Sequence, residues 1–229
     1  MTESTPRAGL RVVTTADAAS LAEASADFVV GRINEVLAQQ GGFTLALSGG
    51  TTPWGMLDAI SAHDLQWERI RVFQVDERIA PLDNPDRNLN QITAHLPQSA
   101  HVDPMPVELD DLDAAAASYA ARIPKIFDLI HLGLGPDGHT ASLVPDDPVL
   151  DVTDRDVAIT TTAYQGHRRM TLTYPELDRA AQIMWLVRGD RAADALAKLL
   201  AGDTSIPGGR VSNPNQVLFT DRATKDEAS

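Results

Sequence analysis

The chain has 229 residues, a formal net charge of -13 at pH 7 and no cysteine. This length suits one α/β domain with a substantial core, so we expect a single domain over 1–229, with loose ends at about 1–9 and 221–229. The acidic charge argues against nucleic acids and anionic membranes as partners, because both bind basic surfaces. The lack of cysteine excludes disulfides, thiolate metal sites and a cysteine nucleophile.

The apolar segments predict a cytoplasmic protein. None of them approaches the roughly 20 residues that a membrane helix needs, and the first nine residues lack the apolar core of a signal peptide. The absence of cysteine fits a reducing compartment. We expect no membrane partner and a monomer or small homo-oligomer.

The first half of the chain alternates strands and helices. A strand at Leu10–Val13 precedes a helix that Asp17 caps and that runs up to Gly41, with apolar residues at helical spacing. The elements predicted next are a strand at Phe43–Leu47, a helix from about Pro53, a strand at Ile70–Val75, a short helix from Asn88 to Leu96, a polar connection at Leu96–Asp113 and a helix at Ala114–Arg122.

The same alternation continues to the end of the chain. Strands are predicted at Phe127–Leu132, Val157–Thr161, Met170–Thr173, Ile183–Val187 and Val217–Phe219, with a helix that begins at Arg191 and ends at Gly202. Continuous apolar strands between helices are typical of a parallel sheet that is covered on both faces. We therefore predict an α/β, Rossmann-like three-layer fold with a mostly parallel sheet, whose ligands bind beyond the carboxyl ends of the strands.

A glycine loop follows the strand at Phe43–Leu47. Ser48, Gly49, Gly50 and Thr51 lead into the proline of the next helix. Two glycines allow the backbone to approach a ligand, and a helix amino terminus offers unpaired N–H groups to an anion. A plain tight turn is the alternative. Neither a Walker lysine nor the dinucleotide pattern is present, so a nucleotide cofactor is poorly supported.

A charged segment follows the strand at Ile70–Val75. Its residues are Asp76, Glu77 and Arg78. An arginine between carboxylates at a strand end can be held as a fixed fork and offered to a phosphate or sugar oxygen. A solvated ion-pair turn is the alternative interpretation.

A glycine-rich loop at 133–143 carries the most informative histidine. Three glycines and a proline force a particular backbone path that ends on His139, with Asp137 two residues before it. Histidine suits general-base chemistry near neutral pH, and a carboxylate can orient it. A loop histidine with no catalytic role is the alternative, which we disfavour. His131, within the preceding apolar strand, is expected to be packed and hydrogen-bonded.

Cationic residues downstream are candidates to meet a substrate's charge. Arg169 lies near a strand start, while Arg188 and Arg191 follow the strand at Ile183–Val187. Ordinary surface arginines are the alternative. No required metal is predicted, because the other histidines are scattered and Asp137 with His139 lacks a third ligand.

The chain resembles the 6-phosphogluconolactonase family in the order and the sequence of four segments. These are the loops at 48–53, 76–78 and 133–143 and the segment at 169–173. The resemblance spans about residues 10–219. It implies a fold similar to glucosamine-6-phosphate deaminase and ribose-5-phosphate isomerase, with no cofactor. It also implies hydrolysis of 6-phosphoglucono-δ-lactone, a small-molecule phosphosugar lactone, in the oxidative pentose phosphate pathway, with His139 as the base.

Two features bear on that resemblance. Many family members carry a lysine that contacts phosphate where this chain has Ala192, so we expect Arg169 with Arg188 or Arg191 to supply the charge. Amino-sugar-phosphate isomerase-deaminases usually carry Phe-Asn-Glu-Pro after the histidine motif, whereas this chain has the glutamate-free segment 142–145. That activity and a non-catalytic phosphosugar-binding module are the alternatives, although no basic helix-turn-helix segment precedes Leu10.

Overall fold

The central sheet of the molecule is parallel, and its innermost strands are buried on both faces. The computed structural model describes residues 7–189 and 192–222. Within them, seven strands pair in parallel in the order β1-β10-β9-β6-β2-β3-β5. The strands of this sheet are β1 (Leu10–Thr14), β2 (Phe43–Leu47), β3 (Ile70–Gln74), β5 (His101–Asp103), β6 (Leu129–Leu132), β9 (Ile183–Val187) and β10 (Gln216–Thr220). The remaining strands are β4 (Asp76–Arg78), β7 (Val157–Ile159) and β8 (Arg169–Leu172).

Helices cover both faces of this sheet. They are α1 (Ala18–Leu37), α2 (Pro53–Ser61), α3 (Asn88–His95), α4 (Leu112–Ala120), α5 (Tyr174–Arg179) and α6 (Ala193–Ala201). One apolar cluster joins α1, α2 and α3 to one face, and a second joins α4, α5 and α6 to the other. Because side chains alternate along a strand, neighbouring residues enter different clusters, as Leu129 and Ile130 do. The predicted three-layer α/β fold is confirmed.

Local signals account for two helix ends. The side chain of Asp17 accepts the N–H of Ser20 at 2.8 Å, and the Ser20 hydroxyl accepts the N–H of Asp17 in return, which closes a capping box. Gly202 ends α6 with φ of +67°, in the left-handed region that suits glycine. Helix α1 ends at Leu37, short of the predicted Gly41.

A second, antiparallel sheet corrects part of the strand prediction. Its order is β4-β8-β7, so the segments predicted at Val157–Thr161 and Met170–Thr173 lie outside the main sheet. Asp76–Arg78, expected to be a loop, is the third strand and places Arg78 opposite Arg169. The strand pairing is long-range, and local sequence carries no signal for it.

Other boundaries also differ from the sequence prediction. Helix α4 begins at Leu112, where Asp111 caps it, rather than at Ala114. The polar connection at 96–113 contains the edge strand β5, and α5 was not predicted. At the amino end, Arg7 donates to the backbone oxygens of Gly209 and Val211, so residues 7–9 are held rather than loose. Of the ends predicted to be loose, at about 1–9 and 221–229, residues 1–6 and 223–229 lie outside the described residues. No described helix is long and apolar enough to cross a membrane.

Candidate active site

A cavity of about 330 Å³ opens at the carboxyl ends of β2, β6 and β9. Strands β6 and β2 are neighbours, but the chain runs from β2 outward to β3 and β5 on one side and from β6 to β9 and β10 on the other. The connections after β2 and β6 therefore diverge and leave a crevice, as expected at a topological switch point. The volume suits a small-molecule ligand.

The predicted glycine loop forms one wall of this cavity. Ser48, Gly49, Gly50 and Thr51 all line it. A Cβ atom on Gly49 would lie 1.9 Å from Oδ1 of Asn88, so only glycine fits there. Helix α2 begins directly after the loop, and its N-cap residue, Thr52, makes no side-chain capping hydrogen bond. The first N–H groups of this helix lie at the cavity wall and can donate to an anion.

The three residues of the charged segment Asp76–Arg78 have different roles: Glu77 stabilises the fold, and the other two line the cavity. Glu77 is buried and accepts the N–H groups of Asn88 and Leu89 at 2.8 and 2.9 Å, so it caps α3. Its Oε2 also lies 3.1 Å from Nε of the buried Arg87. Asn88, expected to be the cap, is instead the first residue of the helix.

Asp76 and Arg78 both line the cavity. Asp76 is buried, and its carboxylate accepts the Ser142 hydroxyl at 2.6 Å and the Asn88 amide at 3.2 Å. The guanidinium of Arg78 donates to the backbone oxygen of Asp86. This segment is therefore a hydrogen-bonded part of the cavity wall and not the solvated ion-pair turn of the alternative interpretation.

His139 lies on the cavity wall with its imidazole held by Asp137. Nδ1 of His139 is 2.5 Å from Oδ1 of Asp137, and the His139 N–H donates to the same oxygen at 3.2 Å. A Cβ atom on Gly135 would lie 2.1 Å from Nδ1 and Cε1 of the ring, so glycine makes room for the imidazole. The side chain of His139 is 22% exposed, which leaves it accessible to a ligand and to water.

The electrostatics of Asp137 favour its charged form. Desolvation acts to raise the pKa of its carboxyl, but the hydrogen bonds and the charge of His139, with a hydrogen bond from Tyr164, hold that pKa well below its ordinary value. An ionised Asp137 accepts the Nδ1 proton of His139, so the neutral imidazole keeps Nε2 as its free acceptor.

Arg169 lies beside the cavity, almost fully buried. Its Nη1 is 3.8 Å from Oδ2 of Asp76, and its Nη2 donates to the backbone oxygen of Tyr164 at 3.0 Å. Nε has no hydrogen-bond partner among the described residues. Burial lowers the pKa of Arg169 and Asp76 acts to raise it. Arg169 also lines the cavity, and a buried cation at a cavity wall is suited to an anionic ligand.

The remaining cationic candidates differ in what can be said of them. Arg188 lines the cavity, is about half exposed and lies 3.5 Å from Asp221. Arg191 lies outside the described residues. Ala192, at the position of the family lysine, is buried.

His131 is packed, as the sequence indicates, and it also lines the cavity. Its Nδ1 accepts the N–H of Ser48 at 3.3 Å, and its backbone oxygen accepts the Ser48 hydroxyl at 3.0 Å. Burial lowers the pKa of its imidazole to about 4, so the ring is neutral near pH 7. Its Nε2 has no hydrogen-bond partner in the described part of the chain.

Sequence reasoning did not find three residues of the site. Asn88 and Ser142 hold Asp76, and Tyr164 contacts both Asp137 and His139. The glycine at position 166 is the one local signal that could have indicated the hairpin that carries Tyr164, and the sequence analysis did not use it. Within residues 7–189 and 192–222, no three His, Asp or Glu side chains are grouped as a metal site requires; the prediction of no required metal stays a prediction.

Comparison with known proteins shows the family of the chain and agrees with its fold. Residues 16–220 match the family model described as glucosamine-6-phosphate isomerases/6-phosphogluconolactonase. A 6-phosphogluconolactonase of Synechocystis sp. is 38% identical over 191 residues, which are 76% of this chain and 78% of that protein. A 6-phosphogluconolactonase of Nostoc sp. is 35% identical over 89% of this chain and 91% of its own length.

Solved structures give the same result. The crystal structure of 6-phosphogluconolactonase from Thermotoga maritima superposes with a TM-score of 0.84 at 25% identity, over 92% of this chain and 98% of that one. A 6-phosphogluconolactonase structure from Trypanosoma brucei, at 24% identity and a TM-score of 0.81 over 96% of this chain and 98% of that one, shares the fold. The chain therefore belongs to the family of glucosamine-6-phosphate isomerases and 6-phosphogluconolactonases.

Proposed function

We propose that this chain hydrolyses 6-phosphoglucono-δ-lactone to 6-phosphogluconate in the oxidative pentose phosphate pathway. The observation that carries the proposal is His139, held by Asp137, on the wall of a cavity that three arginines also line, Arg78, Arg169 and Arg188. This cationic wall stands against a net charge of -13 for the chain. The names of the similar proteins support the same substrate. A cytoplasmic location, no cofactor and a monomer or small homo-oligomer remain predictions.

His139 serves as the general base in this mechanism. Its Nε2 takes a proton from a water molecule, and the resulting hydroxide adds to the lactone carbonyl carbon. The ring C–O bond then breaks, and the imidazolium returns its proton to the departing oxygen. Asp137 stabilises the imidazolium and keeps the proton on Nδ1 in the resting state.

Fixed donors stabilise the oxyanion that forms when hydroxide adds. Arg78 lines the cavity and is held by the backbone oxygen of Asp86, and the loop at Gly49 and Gly50 presents backbone to the same space. Donors that are already in place cost no reorganisation during the reaction. Either group can serve the carbonyl oxygen, while the other binds sugar oxygens.

The phosphate is bound by Arg169 together with Arg188 or Arg191. Arg169 is a nearly buried cation that lines the cavity, and Arg188 lines the same cavity. The open amino terminus of α2, beside Thr51, adds N–H donors to this anion site. These groups take the place of the family lysine that Ala192 replaces.

A coupled assay tests the proposed activity. Glucose-6-phosphate dehydrogenase generates the lactone in situ, and hydrolysis is compared with the spontaneous rate. General-base catalysis typically contributes 10²–10⁴-fold to the rate, so the kcat of His139→Asn should be lower than the native kcat by about that factor. A folded His139→Asn protein with full hydrolase activity would rule out this mechanism, and phosphosugar binding without turnover by the native chain would favour the binding-module alternative.

The isomerase-deaminase alternative finds less support. Among the described residues that line the cavity, Asp76 is the only carboxylate, and it is engaged by Ser142, Asn88 and Arg169. In the segment at 142–145, which stands where the isomerase-deaminases usually carry Phe-Asn-Glu-Pro, no residue has a carboxylate, and Leu143 is fully buried. The cavity wall therefore offers no second, unengaged carboxylate for proton shuttling within the described part of the chain.

A further inference from the structure

A short hairpin between β7 and β8 carries Tyr164 to the catalytic histidine. Tyr164 and His167 exchange backbone hydrogen bonds, and Gln165 and Gly166 between them have φ of 51° and 87°. Positive φ at both central residues is characteristic of a type I′ turn, which gives a tight connection. The backbone of the hairpin tip thus fixes where the phenol ring lies.

Arg169 contacts Tyr164 at the tip of the same hairpin. Its Nη2 donates to the Tyr164 backbone oxygen at 3.0 Å, and its guanidinium lies 5.6 Å from the centre of the Tyr164 ring. The phenol is therefore held both by its backbone and by a cation–π contact.

The Tyr164 hydroxyl contacts both members of the catalytic pair. It donates to Oδ2 of Asp137 at 3.0 Å and lies 3.3 Å from Nδ1 of His139. The other carboxylate oxygen, Oδ1, lies 2.5 Å from the same Nδ1. Each oxygen of Asp137 thus has its own donor, and the rings of Tyr164 and His139 pack with centres 5.0 Å apart.

We propose that Tyr164 is a positioning residue for the hydrolysis, acting on His139 through Asp137. The inference rests on the proposed function, in which His139 is the base. The hydroxyl holds the carboxylate so that the proton stays on Nδ1 and Nε2 faces the substrate. It also withdraws charge from Asp137, which limits how strongly the carboxylate stabilises the imidazolium that forms during the reaction.

Tyr164→Phe tests the inference, because it removes the hydroxyl and keeps the ring over Arg169 and His139. Loss of one such hydrogen bond should lower kcat about three- to tenfold, with KM within twofold of the native value. The acid limb of the pH profile of kcat should move to higher pH, since an unshared carboxylate stabilises the imidazolium more. A role in packing alone would leave the profile unmoved.

A double-mutant cycle shows whether the effect passes through Asp137. In the Asp137→Asn background, Tyr164→Phe should change kcat less than twofold, because the carboxylate on which it acts is gone. Tyr174→Phe is the matched control, since its hydroxyl donates to the Pro207 backbone oxygen and does not line the cavity. This control should keep the native kcat and pH profile.

The outcomes separate this inference from the proposed function. No lactone turnover by the native chain would overturn the proposed function itself, and full hydrolase activity of His139→Asn would overturn the role of His139 as the base. If His139→Asn is inactive while Tyr164→Phe matches the native protein in kcat and pH profile, only the role of Tyr164 is wrong. An equal loss in the native and Asp137→Asn backgrounds would also overturn it, because the tyrosine would then act independently of the carboxylate.

Discussion

The side chain of Arg169 is only 5% exposed, yet one of its donors has no partner among the described residues. A buried cation in an acidic protein costs free energy unless a ligand or a carboxylate compensates it. Asp76 compensates Arg169 at 3.8 Å, longer than a direct hydrogen bond. In the proposed function, the substrate's phosphate in the cavity adds to this compensation of the guanidinium charge.

Arg169→Ala should raise KM strongly, by about tenfold or more, and lower kcat less, because a charge-assisted hydrogen bond contributes roughly 1.5–3 kcal/mol. Steady-state kinetics in the coupled assay measure both constants. Arg168→Ala is the control, since the neighbouring Arg168 donates to the Thr160 backbone oxygen and does not line the cavity. An unchanged KM for Arg169→Ala would count against phosphate binding by this residue.

At the scale of elements, helix α3 depends on a carboxylate that lies in a strand, β4. Glu77 in β4 caps the first turn of α3 and pairs with the buried Arg87, and neither side chain is exposed. Arg87 also donates to the Ala80 backbone oxygen and pairs with Glu108. This network ties the helix to the strand that carries Asp76 and Arg78 into the site.

Glu77→Gln should destabilise the fold by about 3–5 kcal/mol, because breaking a buried pair leaves the Arg87 charge poorly compensated. Urea unfolding followed by circular dichroism measures the free energy of unfolding. Glu35→Gln is the matched control, since the pair of Glu35 with Arg32 is on the surface and its loss should cost less than about 1 kcal/mol. Equal stability of the two variants would show that the Glu77 network contributes no more than a surface pair.

At the scale of the whole molecule, the neutral His131 makes stability depend on pH. Its pKa is about 4 in the folded protein and 6.5 as the ordinary value. Between about pH 6.5 and 4, the His131 imidazole is protonated in the unfolded chain and neutral in the folded chain. The stability contributed by His131 therefore falls as the pH drops through this range. The slope approaches about 1.4 kcal/mol per pH unit.

His131→Asn should remove this slope, which urea unfolding at several pH values would measure as a difference from the native protein. The difference is needed because burial raises the pKa of Glu176 to about 7, and that group acts in the opposite direction between about pH 4.5 and 7. His63→Asn, at an exposed position, should keep the native slope. Identical slopes for the native protein and His131→Asn would contradict a buried, neutral His131.

The sequence by itself determined the alternation of strands and helices, the parallel core and the three segments that follow strands and contribute residues to the cavity wall. Apolar runs, the cap at Asp17 and the glycines around His139 are local signals, and local signals act within a few residues. The family resemblance rests on the same loops. These features are therefore legible without any knowledge of which strands are neighbours.

Only the tertiary structure decided which side chains meet. The pairing of β4 with β8 brings Arg78 opposite Arg169, and the hairpin beyond β7 brings Tyr164 to Asp137. These contacts join residues 27 to 91 positions apart, since Arg78 and Arg169 differ by 91 and Asp137 and Tyr164 by 27. No short-range pattern encodes such pairings, because they arise from burial and backbone pairing of the whole chain.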